Sequence, residues 1–203
     1  RAHVEAKRGN GGLAARYLGA AADYLSVRKA VILAIGGLPG TGKSTVARAI
    51  APELGNAPGA LVLRSDEIRK RHHGLAPEER LPQAAYSKAT SQAVFGELAT
   101  LAEAAAAGGH SVIADATFIE EADRERVEAA ARAAGVRFAG VWLQAPGAVL
   151  EDRVAARRGD ASDATIAVLR ATARASAGAG TWTAVDAAGE IEQTVDAIRI
   201  VLV

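Results

Sequence analysis

Along the chain, short apolar runs alternate with longer stretches of helical spacing. Residues 30 to 35, AVILAI, are a continuous apolar run of strand length, read as a buried parallel strand. Similar runs recur at 60 to 64, at His110 to Ala114, at Val136 to Leu143 and at Trp182 to Asp186. Between them the apolar positions fall three and four apart. This predicts helices over 43 to 51, from Asp66 onward, 84 to 107, 120 to 134, Pro146 to Arg158, from Ser162 or Asp163 to about Ala175, and 190 to 202. In the helix over 84 to 107 the expected buried stripe is Tyr86, Val94, Phe95, Leu98 and Leu101, closed by Gly108 and Gly109. The polar stretch 70 to 83, with His72 and His73, reads as an excursion. Five strands each followed by a helix give an α/β three-layer sandwich around a parallel sheet with right-handed crossovers.

The first 28 residues break this rhythm. Residues 1 to 8 have helical character without a capping signal, GNGG at 9 to 12 interrupts them, and Leu13, Tyr17, Leu18, Ala21, Tyr24 and Leu25 recur at helical spacing. They are expected to form an N-terminal helical appendage, with one domain over 29 to 203. The chain starts at Arg1 and contains no Met, so it is expected to begin inside a larger protein or after a trimmed end.

Composition narrows the function classes. Half of the 203 residues are hydrophobic, much of that alanine, and 4% are aromatic, so helices should pack closely through small side chains. A net charge of +1 with few aromatics argues against a strongly basic, stacking nucleic-acid surface. With no Cys, disulfides, thiolate metal sites and thiol nucleophiles are excluded. No run approaches the roughly 18 residues of a membrane span and no signal peptide is visible, so a cytoplasmic location is expected.

The chemistry starts at the end of the first strand. Gly37-Leu38-Pro39-Gly40-Thr41-Gly42-Lys43-Ser44 fits G-x-x-x-x-G-K-S/T, with Thr45 next in a helix that opens there. Glycines let backbone N–H groups turn inward around phosphate oxygens, and the helix N-terminus adds its dipole. Lys43 is one of five Lys beside nineteen Arg. It is expected to reach the β- and γ-phosphates of ATP, and the Ser44 hydroxyl to ligate Mg²⁺.

Asp66 follows the second strand, at the edge where open parallel sheets bind ligands. It reads either as a helix cap or as the general base for an attacking hydroxyl, with Arg69 one turn on beside the acceptor. Asp115 closes the third strand, expected behind Mg²⁺, with Thr117 at the acceptor. The sequence there is VIADAT, without the Asp-Glu pair of a water-activating motor ATPase. Arg153, Arg157 and Arg158, followed by Gly159, read as a lid over 153 to 163 that would bring guanidinium groups onto the transferring phosphoryl. The alternative is a solvated helix end whose arginines suit the helix dipole.

From Val31 onward, GLPGTGKST, LRSDEIR, SVIADAT and DRVAARRGDASDA together resemble the P-loop kinases related to polynucleotide kinase, gluconate kinase, zeta toxin and chloramphenicol phosphotransferase. That resemblance implies a sheet of order 2-3-1-4-5, ATP at Gly37 to Thr45, Asp66 as base and the three arginines as lid. With RAHVEAKR, RLPQAAYS and RGDASDA included, the chain is similar to the C-terminal ATP-binding, AAA_33-like domain of bacterial proteins with an N-terminal aminoglycoside-phosphotransferase-like domain. Residues 1 to 28 would then be the tail of that upstream domain. The implied function is an ATP- and Mg²⁺-dependent kinase acting on a hydroxyl of a small molecule. A nucleic-acid 5′-hydroxyl kinase and a non-catalytic ATP-binding regulatory domain are the alternatives.

Overall fold

The computed structural model describes residues 1–25, 29–156 and 162–202. Five strands, β1 (Val31–Gly37), β2 (Leu61–Arg64), β3 (Val112–Asp115), β4 (Arg137–Gln144) and β5 (Thr183–Asp186), form one parallel sheet of order β2-β3-β1-β4-β5. The central strand β1 is buried at every position and pairs on both sides, Ile35 with Asp115 of β3 and with Val141 of β4.

Alternation along β1 divides the core in two. Ile32 and Ala34 face a layer containing Val94, Leu98 and Ala102 of α5 (Lys88–Ala107) and Val127 and Ala131 of α6 (Glu121–Ala133), together with Phe118, Trp142 and Trp182. Val31, Leu33 and Ile35 face Val46, Ala47 and Ile50 of α3 (Lys43–Ile50) and Val195 and Ile198 of α9 (Ile191–Leu202). Alanines at Ala99, Ala102 and Ala106 bring α5 close to the sheet, as the composition predicted. A smaller cluster joins Leu150 and Val154 of α7 (Gly147–Ala156) to Leu169 of α8 (Ile166–Ala175), with Leu38 packed against it. The remaining helix, α4 (Ser65–His72), follows β2 directly.

Several boundaries differ from the sequence reading. Tyr86 is not part of the α5 stripe: it lies in a 3₁₀ turn (Gln83–Tyr86), 43% exposed, because the Ser87 hydroxyl accepts from Thr90 N and starts the helix one residue later. Thr165, not Ser162 or Asp163, caps α8 through Val168 N. Asp66 does not cap α4; it lies in that helix's first turn, after the N-cap residue Arg64.

At the N-terminus, α1 (Ala2–Lys7) and α2 (Gly11–Leu25) pack on one another, and Glu5, accepting from Asn10 Nδ2 at 2.9 Å, is buried between them. Gly11 and Gly12 belong to α2, whose one buried residue is Ala14; no member of its apolar stripe is buried, and Leu18, Tyr24 and Leu25 are 63% exposed or more. Among the described residues no helix is long and apolar enough to cross a membrane.

Candidate active site

The strand order decides which side chains meet. At the C-terminal sheet edge, the residues after β2 (Asp66, Arg69), β3 (Thr117), β1 (the 37–44 loop) and β5 (187–189) follow one another as their strands do. They line a single cleft of about 1750 Å³. That exceeds the several hundred Å³ that one small ligand needs, and accommodates two reactants.

The loop from Gly37 to Ser44 is held tightly from behind and is open in front. Gly37 has φ 139°, and a Cβ there would lie 2.6 Å from the Leu143 carbonyl oxygen. Gly42, at φ 85°, precedes α3, and a Cβ there would meet nothing within 4 Å: the open side faces the cleft. The N–H groups of Lys43 and Ser44 open α3 with no carbonyl one turn ahead of them. The helix has no side-chain cap. These features fit a bound phosphate. Lys43 Nζ folds over the loop and donates to the carbonyls of Gly37 and Leu38, each at 2.9 Å, within reach of any anion in the cradle. Thr41 Oγ1 pins the turn through Leu38 O at 2.8 Å. Pro39 and Gly40 are buried, and Thr45 is exposed and lines the cleft.

Ser44 Oγ donates to Asp115 Oδ2 at 2.6 Å. One hydroxyl and one carboxylate oxygen so close suit Mg²⁺, which takes few protein ligands where phosphates supply the rest. Beside them is a residue the sequence reading overlooked. Arg64 is paired with Asp115 in the β2–β3 ladder, and its guanidinium reaches Asp115 Oδ2 through Nε at 3.3 Å, Ser44 Oγ through Nη2 at 3.0 Å and Glu67 Oε1 through Nη1 at 2.9 Å. The signal was present in the sequence, since an Arg closing an apolar strand beside an Asp closing the next one must share a sheet edge with it.

Asp66 lies across the cleft. Burial pushes its carboxyl above the usual range, and repulsion from Asp115 adds to that, while Lys43, a hydrogen bond from Ser162 and Arg64 pull the other way. A carboxylate raised in this way is a stronger base than a free one. One turn on, Arg69 is 6% exposed; its Nη1 donates to Ala85 O at 3.0 Å and Ser91 Oγ at 3.3 Å, and its guanidinium lies 5.0 Å from the centre of the Tyr86 ring. Its Nε has no partner. Burial lowers its pKa, against the attraction of Asp66, Tyr86 and Asp123. Thr117, whose carbonyl accepts from Gly37 N at 3.3 Å, lines the same cleft, as do Asp123 and Arg126, joined at 3.0 Å. Asp123 is also raised, first by its burial, with Arg126 opposing.

Of the three lid arginines, Arg157 and Arg158 lie outside the described residues. Arg153 is on α7 and lines the cleft, where its guanidinium donates to the carbonyls of Ala187 at 2.6 Å, Ala188 at 3.0 Å and Gly189 at 3.3 Å. In this structure it clamps the turn after β5 and does not reach toward the 37–44 loop. Asp163, expected only as a cap, holds the far wall: Oδ2 accepts from Leu81 N at 3.0 Å and Tyr86 Oη at 3.3 Å, and Oδ1 lies 3.7 Å from the buried Lys70 Nζ. The His72 ring bonds Glu97.

A family model described as an AAA domain, AAA_33, matches residues 31–178, which takes in the 37–44 loop, Asp66, Asp115 and the whole of α7. The chain belongs to the AAA_33 family. Uncharacterized protein Rv2004c of Mycobacterium tuberculosis is 35% identical over 189 residues, covering 90% of this chain and 36% of its own length. A counterpart in Mycobacterium bovis matches equally. The chain thus spans about a third of the length of these relatives. Among solved structures, the AAA_33 fold is similar to a gluconokinase from Sinorhizobium meliloti 1021, at a TM-score of 0.60 and 21% identity over 86% of this chain and 93% of that one. The Mycobacterium tuberculosis APS kinase CysC in complex with AMPPNP and APS aligns at 0.56 and 19%, over 86% and 98%. The tunicamycin resistance protein of Deinococcus radiodurans aligns at 0.59 and 18%, over 85% and 95%. These likenesses show a P-loop kinase fold.

Proposed function

We propose that this AAA_33 domain is an ATP- and Mg²⁺-dependent kinase that transfers the γ-phosphoryl group to a hydroxyl of a small-molecule acceptor. The observation that carries the reading is the placement of Asp66, a half-buried carboxyl of raised basicity, in one cleft with Lys43, Ser44 and Asp115. A domain that only sensed nucleotide would need the phosphate cradle but no such base across from it.

In this reading the amides of the 37–44 loop and Lys43 orient the triphosphate, and Ser44 and Asp115 hold the metal. The metal ion, when bound, neutralises charge on the phosphate oxygens. Asp66 takes the proton from the acceptor hydroxyl as its oxygen bonds phosphorus and the bond to the leaving nucleoside diphosphate breaks. Arg69 and Thr117 position the acceptor. Arg157 and Arg158 meet the developing charge, and Arg153 fixes the turn at the β5 end of the cleft, where the base side of the nucleotide would lie. The chemistry is mostly alignment and electrostatics. A cytoplasmic setting, and an upstream aminoglycoside-phosphotransferase-like domain in the full-length protein, belong to the same proposal.

The test is ATP turnover by the purified chain with Mg²⁺, alone and with pools of sugars, aminoglycosides, nucleosides and 5′-hydroxyl oligonucleotides. The expected result is turnover that rises with one small-molecule pool and is lost in Asp66→Asn. Response to oligonucleotides alone would transfer the reading to a nucleic-acid end. Tight ATP binding with no acceptor-dependent turnover, or full function in Asp66→Asn, would refute the kinase and favour a sensor.

A further inference from the structure

Arg64 holds the same two oxygens that the reading above gives to the metal. Its Nε contacts Asp115 Oδ2 at 3.3 Å and its Nη2 donates to Ser44 Oγ at 3.0 Å, with the side chain 10% exposed. A guanidinium in a protein does not lose its proton, so this charge is permanent across the physiological pH range. Asp115 therefore already faces a fixed positive charge, which Arg64 shares with Glu67. A free divalent cation arriving between Ser44 and Asp115 would bring two further positive charges against a fixed one, where water screens little.

We propose that Arg64 is the resident cation of the metal site in the nucleotide-free protein. It keeps Ser44 and Asp115 in register, excludes free divalent cations, and yields to the metal only when the metal arrives with a nucleoside triphosphate. This rests on the assignment of Ser44 and Asp115 as the metal-holding pair. The phosphates reverse the charge balance, and they offer Arg64 new oxygen acceptors. Glu67 gives the movement a pivot: it accepts from Nη1 at 2.9 Å and its side chain is 43% exposed, so it can keep that hydrogen bond while Nε and Nη2 leave. The placement follows from the fold, because Arg64 and Asp115 are ladder partners and the side chain has no loop between it and the site. The consequence is ordered binding: metal with nucleotide, never metal first.

The experiment is a Mn²⁺ titration of the nucleotide-free 203-residue chain followed by electron paramagnetic resonance. Four proteins are compared: wild type, Arg64→Gln, Arg64→Lys, and Arg64→Gln with Asp115→Asn. Arg64→Gln should bind one Mn²⁺ at least about tenfold more tightly than wild type, a change of about 1.4 kcal/mol. Arg64→Lys, which keeps the charge, should stay near wild type, and the double variant should lose the gain. An arginine that merely braced the fold would lower the melting temperature without raising Mn²⁺ affinity. Arg64→Gln binding no tighter than wild type overturns the proposal, as does a gain that survives Asp115→Asn. If Arg64→Gln does not fold, wild type decides: saturable, Asp115-dependent Mn²⁺ binding without nucleotide overturns the proposal, and binding that appears only on adding ATP upholds it. No acceptor or turnover enters this measurement, so its failure is distinct from failure of the kinase reading.

Discussion

Asp163→Ala is expected to loosen the wall of the acceptor side and to cost more stability than its partly open position suggests. The carboxylate makes three contacts with a segment some eighty residues earlier: Leu81 N at 3.0 Å, Tyr86 Oη at 3.3 Å, and Lys70 Nζ at 3.7 Å. Lys70 is 1% exposed and its other partner is the Pro77 carbonyl at 2.7 Å, so removing Asp163 leaves a buried ammonium without its counter-charge. Breaking such a pair costs about 3–5 kcal/mol. For a chain of this length each kcal/mol lowers the melting temperature by roughly 2–4 °C, so a fall of about 6–20 °C is expected. Asp163→Asn keeps an oxygen for Leu81 N and should lose less. The assay is thermal and urea unfolding of Asp163→Ala, Lys70→Ala and the double variant. If the two side chains stabilise one another, the double variant loses less than the sum, by more than about 0.5 kcal/mol. Additive losses, or an Asp163→Ala melting point within about 2 °C of wild type, would refute the argument.

The remaining predictions are read by kinetics or by unfolding. Lys43→Ala should abolish ATP turnover and weaken nucleotide binding in a calorimetric titration, since the phosphate cradle loses its one flexible cation. Asp66→Asn should lower kcat by about 10²–10⁴ with nucleotide affinity retained, the usual contribution of a general base. Because the Asp66 carboxyl is raised on folding, stability is lost as pH rises from the ordinary carboxylate value of 3.8 to the raised folded value, and the loss stays constant above it. Asp66→Asn should therefore be the more stable protein at neutral pH, with the gap closing as pH falls toward the ordinary carboxylate value of 3.8; a less stable variant at neutral pH would contradict this. Gly140→Ala, which sets a Cβ 2.6 Å from the Trp182 indole, should cost about 1–3 kcal/mol through overpacking, read from urea midpoints. Arg153→Ala should raise KM for ATP more than it lowers kcat if the clamp on Ala187, Ala188 and Gly189 shapes the nucleotide end of the cleft.

The turn over 37–44 was legible because its conformation is local: eight consecutive residues impose both the turn and its open side. The strands were legible for a similar reason, since β1 is apolar on both faces and no other element fits such a run. Asp163 was not legible as a wall residue: its partner Leu81 is 82 residues away, and spacing along the chain says nothing about contacts made by a crossover. Arg64 was legible only through the strand order, which sets it beside Asp115, 51 residues away. The apolar stripe of α2 shows the opposite limit, because periodicity marks a face without saying what covers it. Tyr86 shows a third limit: one hydroxyl, Ser87, moved the start of α5 past a ring that fits the helical period.

The 37–44 loop and Asp115 sit on adjacent rungs of one sheet, with Arg64 on the next, whereas the opposite wall of the cleft is built from α4, the segment 73–86 and α6. Spacing among Ser44, Asp115 and Arg64 is thus fixed by strand pairing, and changes in the segment 73–86 leave it unchanged. Under the proposed function, such a division of labour lets one acceptor be exchanged for another by rewriting that wall, while the end that meets the nucleotide is inherited intact.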